Sequence, residues 1–118
     1  MVMAKNLFIV NDAPYGIERT YNALRLAGSL SSREGEEVRL FLIGDAVSAA
    51  KRGQQVPQGF YNVEVMLRRI VRSGGEIGVC GSCSDARAIA DDLAEGCRRS
   101  SMEELTDWTV WADNVVVF

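Results

Sequence analysis

The chain contains no histidine. That absence excludes Ser-His-Asp and Cys-His nucleophile pairs within one chain, HExxH zinc sites, and imidazole as a general base. Any chemistry must run on cysteine, carboxylate, hydroxyl, backbone amide, arginine or lysine. Cysteine is scarce as well, three in 118 residues. An odd number, two of them nearly adjacent, does not make a secreted disulfide framework. The two prolines, Pro14 and Pro57, lie in early loops, so the cis-proline that a thioredoxin fold would want is missing. No apolar run approaches the ~20 residues of a membrane span. No basic n-region, h-region and cleavage site precede the first apolar run, and a cytoplasmic protein is expected. With a net charge of -3, neither nucleic acid nor an anionic membrane is the expected partner. No GxGxxG or GxxxxGK[ST] pattern supports a nucleotide site.

What is present reads as one domain over residues 1–118, with 47% hydrophobic and 25% charged residues. Lys5-Asn6-Leu7-Phe8-Ile9-Val10 is a nearly continuous apolar run without period-2 alternation, which suits a strand buried on both faces. Helical periodicity follows from Gly16 to about Ser31, with Ile17, Tyr21, Leu24 and Gly28 on one stripe. Val38–Ile43 is a second strand ending at Gly44-Asp45, and Ala46–Arg52 a short helix. Gly53–Asn62 carries Gly and Pro punctuation and is expected to be a mobile lip over a site. Val63, Met66, Leu67 and Ile70 mark an amphipathic helix whose outer arginines are read as a solvated face. Glu76–Cys80 is the third strand, and Asp85 to about Leu93 reads as a helix with Ser82 as its cap. Ser101-Met102-Glu103-Glu104 is a capping box opening a helix with Met102, Leu105, Trp108 and Ala112 on one face. Val115–Phe118 is the last strand.

Strands alternating with helices predict an α/β three-layer sandwich with a mostly parallel sheet. In such sheets the ligand site lies beyond the carboxyl ends of the strands. Three of those ends carry Asn11-Asp12, Gly44-Asp45 and Cys80-Gly81-Ser82-Cys83, with Tyr15 expected to overhang the rim. Cys80 ends a strand and Cys83 stands at or just inside the next helix. A thiol just before a helix feels unpaired N–H groups and the positive end of the dipole, which favours thiolate. Zinc through Cys80, Cys83 and Cys97 lacks a fourth soft ligand in one chain, so no metal or cofactor is expected. Cys97 reads as structural.

The Leu7–Asp12 strand, the Leu40–Val47 segment, the Val79–Cys83 turn, Arg87 and the Ser100–Phe118 tail form an ordered set. Together they resemble the DsrE/DsrF/TusD-like family of small sulfur-relay proteins over nearly the whole chain. The resemblance implies a cytoplasmic α/β sandwich that assembles into trimers, hexamers or mixed-subunit rings. It further implies a cysteine persulfide, held at Cys80, that is accepted from a donor protein and passed to an acceptor. The relay subunits typically have one cysteine here, whereas Cys83 follows Cys80 in this chain, and they often have Arg-Gly where this chain has Arg87-Ala88. On this reading Cys80 is the nucleophile, Cys83 resolves or protects the persulfide, and Arg87 steadies the anion. Asn11, Asp12, Tyr15, Gly44, Asp45, Gly81 and Ser82 line the site. A dithiol redox protein and a non-catalytic oligomeric binding module are the alternatives. Trp108 and Trp111, three apart on one helix, allow one ring inward and one at an interface of a homo-oligomer.

Overall fold

The computed structural model describes residues 2–57 and 61–118. Five strands form one sheet: β1 (Ala4–Val10), β2 (Glu36–Leu42), β3 (Glu76–Cys80), β4 (Cys97–Ser100) and β5 (Asn114–Val117). Their order is β4-β3-β2-β1-β5, and every neighbouring pair is parallel. The helices are α1 (Arg19–Ser31), α2 (Val63–Arg72), α3 (Gly81–Ala86) and α4 (Met102–Trp111), with a 3₁₀ helix over Gly44–Ala50. Right-handed crossovers decide which side each helix takes. The steps from β1 to β4 all move one way, leaving α1, α2 and α3 on one face. The return from β4 to β5 puts α4 on the other. Both faces of the central strands are thus covered, which is why Leu7, Phe8, Leu40, Phe41, Leu42 and Val79 are wholly buried and read as unbroken apolar runs.

Side chains alternate across the strands, so β2 sends Leu40 and Leu42 toward α1 and α2 and Phe41 toward α4. Trp108 meets Phe41 edge to face with ring centroids 6.2 Å apart. Gly78 lies opposite Phe41 in the register and leaves room for that indole. On α2 the predicted face is buried at Val63, Leu67 and Ile70, and the Asn62 side chain caps it by accepting from the Val65 amide (3.3 Å). The Ser101 hydroxyl caps α4 in the same way, accepting from the Glu104 amide (3.2 Å).

Four expectations change. The helix placed at Asp85–Leu93 is instead the six-residue α3, starting directly after Cys80, and Ser82 lies in its first turn rather than capping it. Helix α1 begins at Arg19, and its buried stripe is Thr20, Ala23, Leu24, Ala27 and Ser31, whereas Ile17 is exposed. The short helix expected at Ala46–Arg52 is the 3₁₀ turn beginning at Gly44. Met102 is 60% exposed at the start of α4, so the inward face is Leu105 and Trp108. The proposed lip over 53–62 includes Gln58, Gly59 and Phe60, which lie outside the described residues.

The close packing at Gly78 makes a direct prediction. A methyl added there would stand 3.1 Å from the Trp108 ring, 3.2 Å from Ser100 Cβ and 3.3 Å from Phe41. Gly78→Ala is expected to destabilise the fold by about 1 kcal/mol, overpacking outweighing the smaller entropic gain from losing glycine. An unchanged urea midpoint would show that α4 does not bear on β3 as described.

Candidate functional site

The register builds the site. Leu42 pairs with Val79, so the residues just beyond β2 and β3 stand side by side at the carboxyl rim. Cys80 is the last residue of β3 and the residue from which α3 starts. Its carbonyl accepts from the Ser84 hydroxyl at 2.8 Å, which ties the strand end to the first turn of the helix. Cys80 is only 7% exposed, and its Sγ lies 3.5 Å from the Ser82 hydroxyl. Cys83, half-buried, accepts the Gly44 amide on its sulfur at 3.3 Å. Gly44 adopts φ +59°, a left-handed conformation that side chains other than glycine resist.

Two arginines hold α3 from opposite sides. Arg87 donates to the Cys83 carbonyl (3.1 Å) and to Asp45 Oδ1 (2.7 Å), linking the helix to the 3₁₀ turn. Arg99, from β4, donates to both carboxylate oxygens of Asp85, the Nη2–Oδ2 contact being 2.8 Å, and to the Gly81 carbonyl (3.4 Å). Its guanidinium lies where a Cβ on Gly81 would be, 2.9 Å away. Arg99 is absent from the sequence-derived site because β4 itself is absent from it. Its signal is the Arg98-Arg99 pair, which alternation on a strand splits between faces: Arg98 goes to Glu104 (2.6 Å) beside α4, Arg99 to α3.

The two thiols differ in their surroundings. Burial opposes ionisation of Cys80, but the Ser82 hydroxyl, the Cys83 amide and thiol, and the Ser82 amide outweigh it and hold the thiol below its ordinary value. Cys83 is held above the ordinary value, first because it hydrogen-bonds to Cys80 and next by burial. The Gly44 amide and Arg87 counter this only in part. Cys97 is buried away from this pair, and burial with the nearby Glu64 charge pushes it up to about 12. It pairs with Ile77, three residues before Cys80 on the neighbouring strand and so about 10 Å back along it.

Cys80, Cys83, Gly81, Ser82, Gly44, Asp45 and Arg87 therefore come together. Asn11, Asp12 and Tyr15 take part in other contacts. Asn11 donates through its side chain to the Phe118 carbonyl (2.9 Å), closing β5 onto β1. Asp12 pairs with Arg19 (3.4 Å), and its carbonyl accepts from Thr20 (2.6 Å). The Tyr15 hydroxyl accepts the Val63 amide at 3.1 Å while its ring stacks on Tyr61. Among the described residues none of these three hydrogen-bonds to a thiol, although the Asn11 backbone borders Gly44.

An all-parallel sheet with paired thiols of unequal acidity at its carboxyl rim defines a small α/β thiol protein. The chain belongs to the DsrE/DsrF-like family, whose sequence profile matches residues 4–118. It is 39% identical to the protein YchN of Escherichia coli K12 over 118 residues, 98% of this chain and all of that one. It is 40% identical over 111 residues to an uncharacterized protein of Methanopyrus kandleri, covering 93% and 90% of the two chains. The crystal structure of the Escherichia coli YchN protein superimposes with a TM-score of 0.93 over 98% of this chain and all of that one. A protein of unknown function from Methanobacterium thermoautotrophicum, 12% identical, shares the fold with a TM-score of 0.75, covering 98% of this chain and all of that one.

Two predictions follow from this geometry. Thiolate is the alkylating form, so a lowered pKa means faster reaction at neutral pH and a raised one slower. Site-resolved iodoacetamide labelling of the native protein should rank Cys80 fastest, Cys83 slower and Cys97 nearly inert; equal rates at all three would contradict the assigned environments. Secondly, Ala88 sits at φ 55°, so the chain keeps a left-handed turn with a side chain in it. Ala88→Gly should stabilise the fold by about 1 kcal/mol, part of the left-handed penalty being lost to glycine's extra unfolded freedom. Chemical denaturation measures it, and a loss of stability would refute the strain.

Proposed function

We propose that the protein is a sulfur carrier that holds a sulfane sulfur as a persulfide on Cys80. The Cys80 thiolate attacks the outer sulfur of a donor persulfide R–S–SH. A bond forms between Cys80 Sγ and that sulfur, and the donor leaves as the thiolate RS⁻. An acceptor thiolate then attacks the outer sulfur of Cys80–S–SH, and Cys80 leaves as the thiolate again. The observation that carries this reading is the placement of Cys80 where β3 ends and α3 begins, its Sγ 3.5 Å from the Ser82 hydroxyl, a setting whose hydroxyl and amide donors favour the anion. Those groups stabilise the attacking thiolate before transfer and the leaving thiolate after it. Membership of the DsrE/DsrF-like family supports a sulfur-relay-related role. Gly44, Asp45, Gly81, Ser82 and Arg87 shape the site, and Asn11, Asp12 and Tyr15 form the more distant rim that approaching partners meet. Donor and acceptor are proteins or small thiols met in the cytoplasm. No described helix is long and apolar enough to cross a membrane.

The same reading has the chain work as a homo-oligomer, a trimer or hexamer. Trp108 is buried in the core, and Trp111 lies under the Arg39 guanidinium at 3.8 Å, so neither indole alone argues for an interface. Stronger support comes from Val110 on α4, 83% exposed, and from Val117, 64% exposed on β5, which has no strand on its outer edge among the described residues. Light scattering should give a trimer or hexamer mass, and a monomer mass across a wide concentration range would overturn the assembly.

Mass spectrometry after exposure to a persulfide donor tests the carrier itself. Cys80→Ser should abolish the added sulfur, whereas Cys83→Ser should still load it. Loading of Cys80→Ser to the wild-type level would overturn the assignment.

A further inference from the structure

The persulfide formed on Cys80 would present two sulfurs to two different environments. Its inner sulfur, Cys80 Sγ, belongs to a residue only 7% exposed, at the start of α3. Its outer sulfur stands one S–S bond, about 2 Å, further toward the rim. A thiol arriving from solvent meets the outer sulfur first. The chain's own second thiol is the nearest one in sequence to that inner sulfur, because Cys80 is the residue from which α3 starts and Cys83 stands in the first turn of the same helix, three residues on. Cys83 is also the sulfur at which the Gly44 amide is aimed, 3.3 Å away. That amide steadies negative charge on Cys83, which nothing in simple carriage of sulfur on Cys80 requires.

We infer that the Cys80–Cys83 pair has a further activity, reductive release of the carried sulfur as hydrosulfide. It rests on the carrier reading and begins from its intermediate. Cys83 attacks Cys80 Sγ, its proton passing to the departing sulfur. The bond between Cys80 Sγ and the outer sulfur breaks, and the electron pair leaves with that sulfur. In balance, Cys80–S–S⁻ plus Cys83–SH gives the Cys80–Cys83 disulfide plus HS⁻. The sulfane sulfur gains two electrons and the two cysteine sulfurs together lose them. A cellular dithiol then reduces the disulfide and restores both thiols. Which sulfur is attacked thus selects the product: an outside thiol at the outer sulfur yields transfer, and Cys83 at the inner sulfur yields release. Without an acceptor the protein converts a persulfide to sulfide, discharging a sulfur that has nowhere to go.

The test is a single turnover under anaerobic conditions with glutathione persulfide labelled in its sulfane sulfur. Released sulfide is trapped with a bimane reagent, and intact-protein mass is followed with time. In the wild type the mass of one labelled sulfur should appear and decay. In its place come about one equivalent of labelled sulfide and a protein lighter than the starting dithiol form by two hydrogens. Added dithiothreitol should make the release multiple-turnover. In Cys83→Ser the labelled adduct should persist at least tenfold longer, with labelled sulfide falling in proportion. If the wild type keeps its adduct as long as Cys83→Ser, or releases sulfide without forming the disulfide, the inference is overturned while the carrier reading stands. If neither protein takes up the label, the carrier reading fails and the inference fails with it.

Discussion

The parallel pairing of β2 with β3 is the constraint on which the site depends. With Leu42 opposite Val79, the chain leaving β2 and the chain leaving β3 emerge at the same height on the same rim. That places Gly44 beside the first turn of α3, close enough for its amide to reach Cys83 Sγ at 3.3 Å. A slip of one residue would turn Cys80 to the other face of the sheet and withdraw that amide. The apolar residues that fix the register, Leu40, Leu42, Ile77 and Val79, are at most 1% exposed, so the core is what sets the chemistry of the rim.

Helix α3 has six residues, too few to stand without tertiary support. Its stability comes from outside: Arg99 on Asp85, Arg87 on Asp45 and the Cys83 carbonyl, Ser84 on the Cys80 carbonyl. These contacts are partly exposed and individually modest. Their joint effect is geometric, since each removes a direction in which the turn could unwind. A held turn keeps the donors around Cys80 in place before any substrate arrives, which is where electrostatic preorganisation has its effect. The comparison with Cys97 is instructive. The same residue type, buried on a neighbouring strand without such donors and near Glu64, is driven to hold its proton.

Much of this was legible in the sequence, and what was not has physical causes. The central strands announced themselves because burial on both faces demands unbroken apolar runs, and Ser101 marked the start of α4 through its capping oxygen. The alternation of elements placed Cys80 and Gly44 on one rim. Strand β4 escaped because Cys97-Arg98-Arg99-Ser100 is an edge strand whose arginines serve ion pairs on both faces, leaving no apolar period. Losing β4 hid Arg99. The helix expected over Asp85–Leu93 does not form because Ala88, at φ 55°, turns the chain out of helical geometry just after α3. Tyr15 was placed by loop proximity alone, and its stacking on Tyr61 with its bond to the Val63 amide depends on tertiary contacts that sequence spacing does not encode.

The fold, through Cys83 and the first turn of α3, holds the Cys80 thiol below its ordinary pKa. Ultraviolet thiolate absorbance measured against pH, in the wild type and in Cys83→Ala, tests it most directly. The first ionisation in the wild type is expected below that of a free cysteine thiol, moving upward when the Cys83 donor is removed. A first ionisation at or above the ordinary value, or one that stays in place in Cys83→Ala, would contradict it.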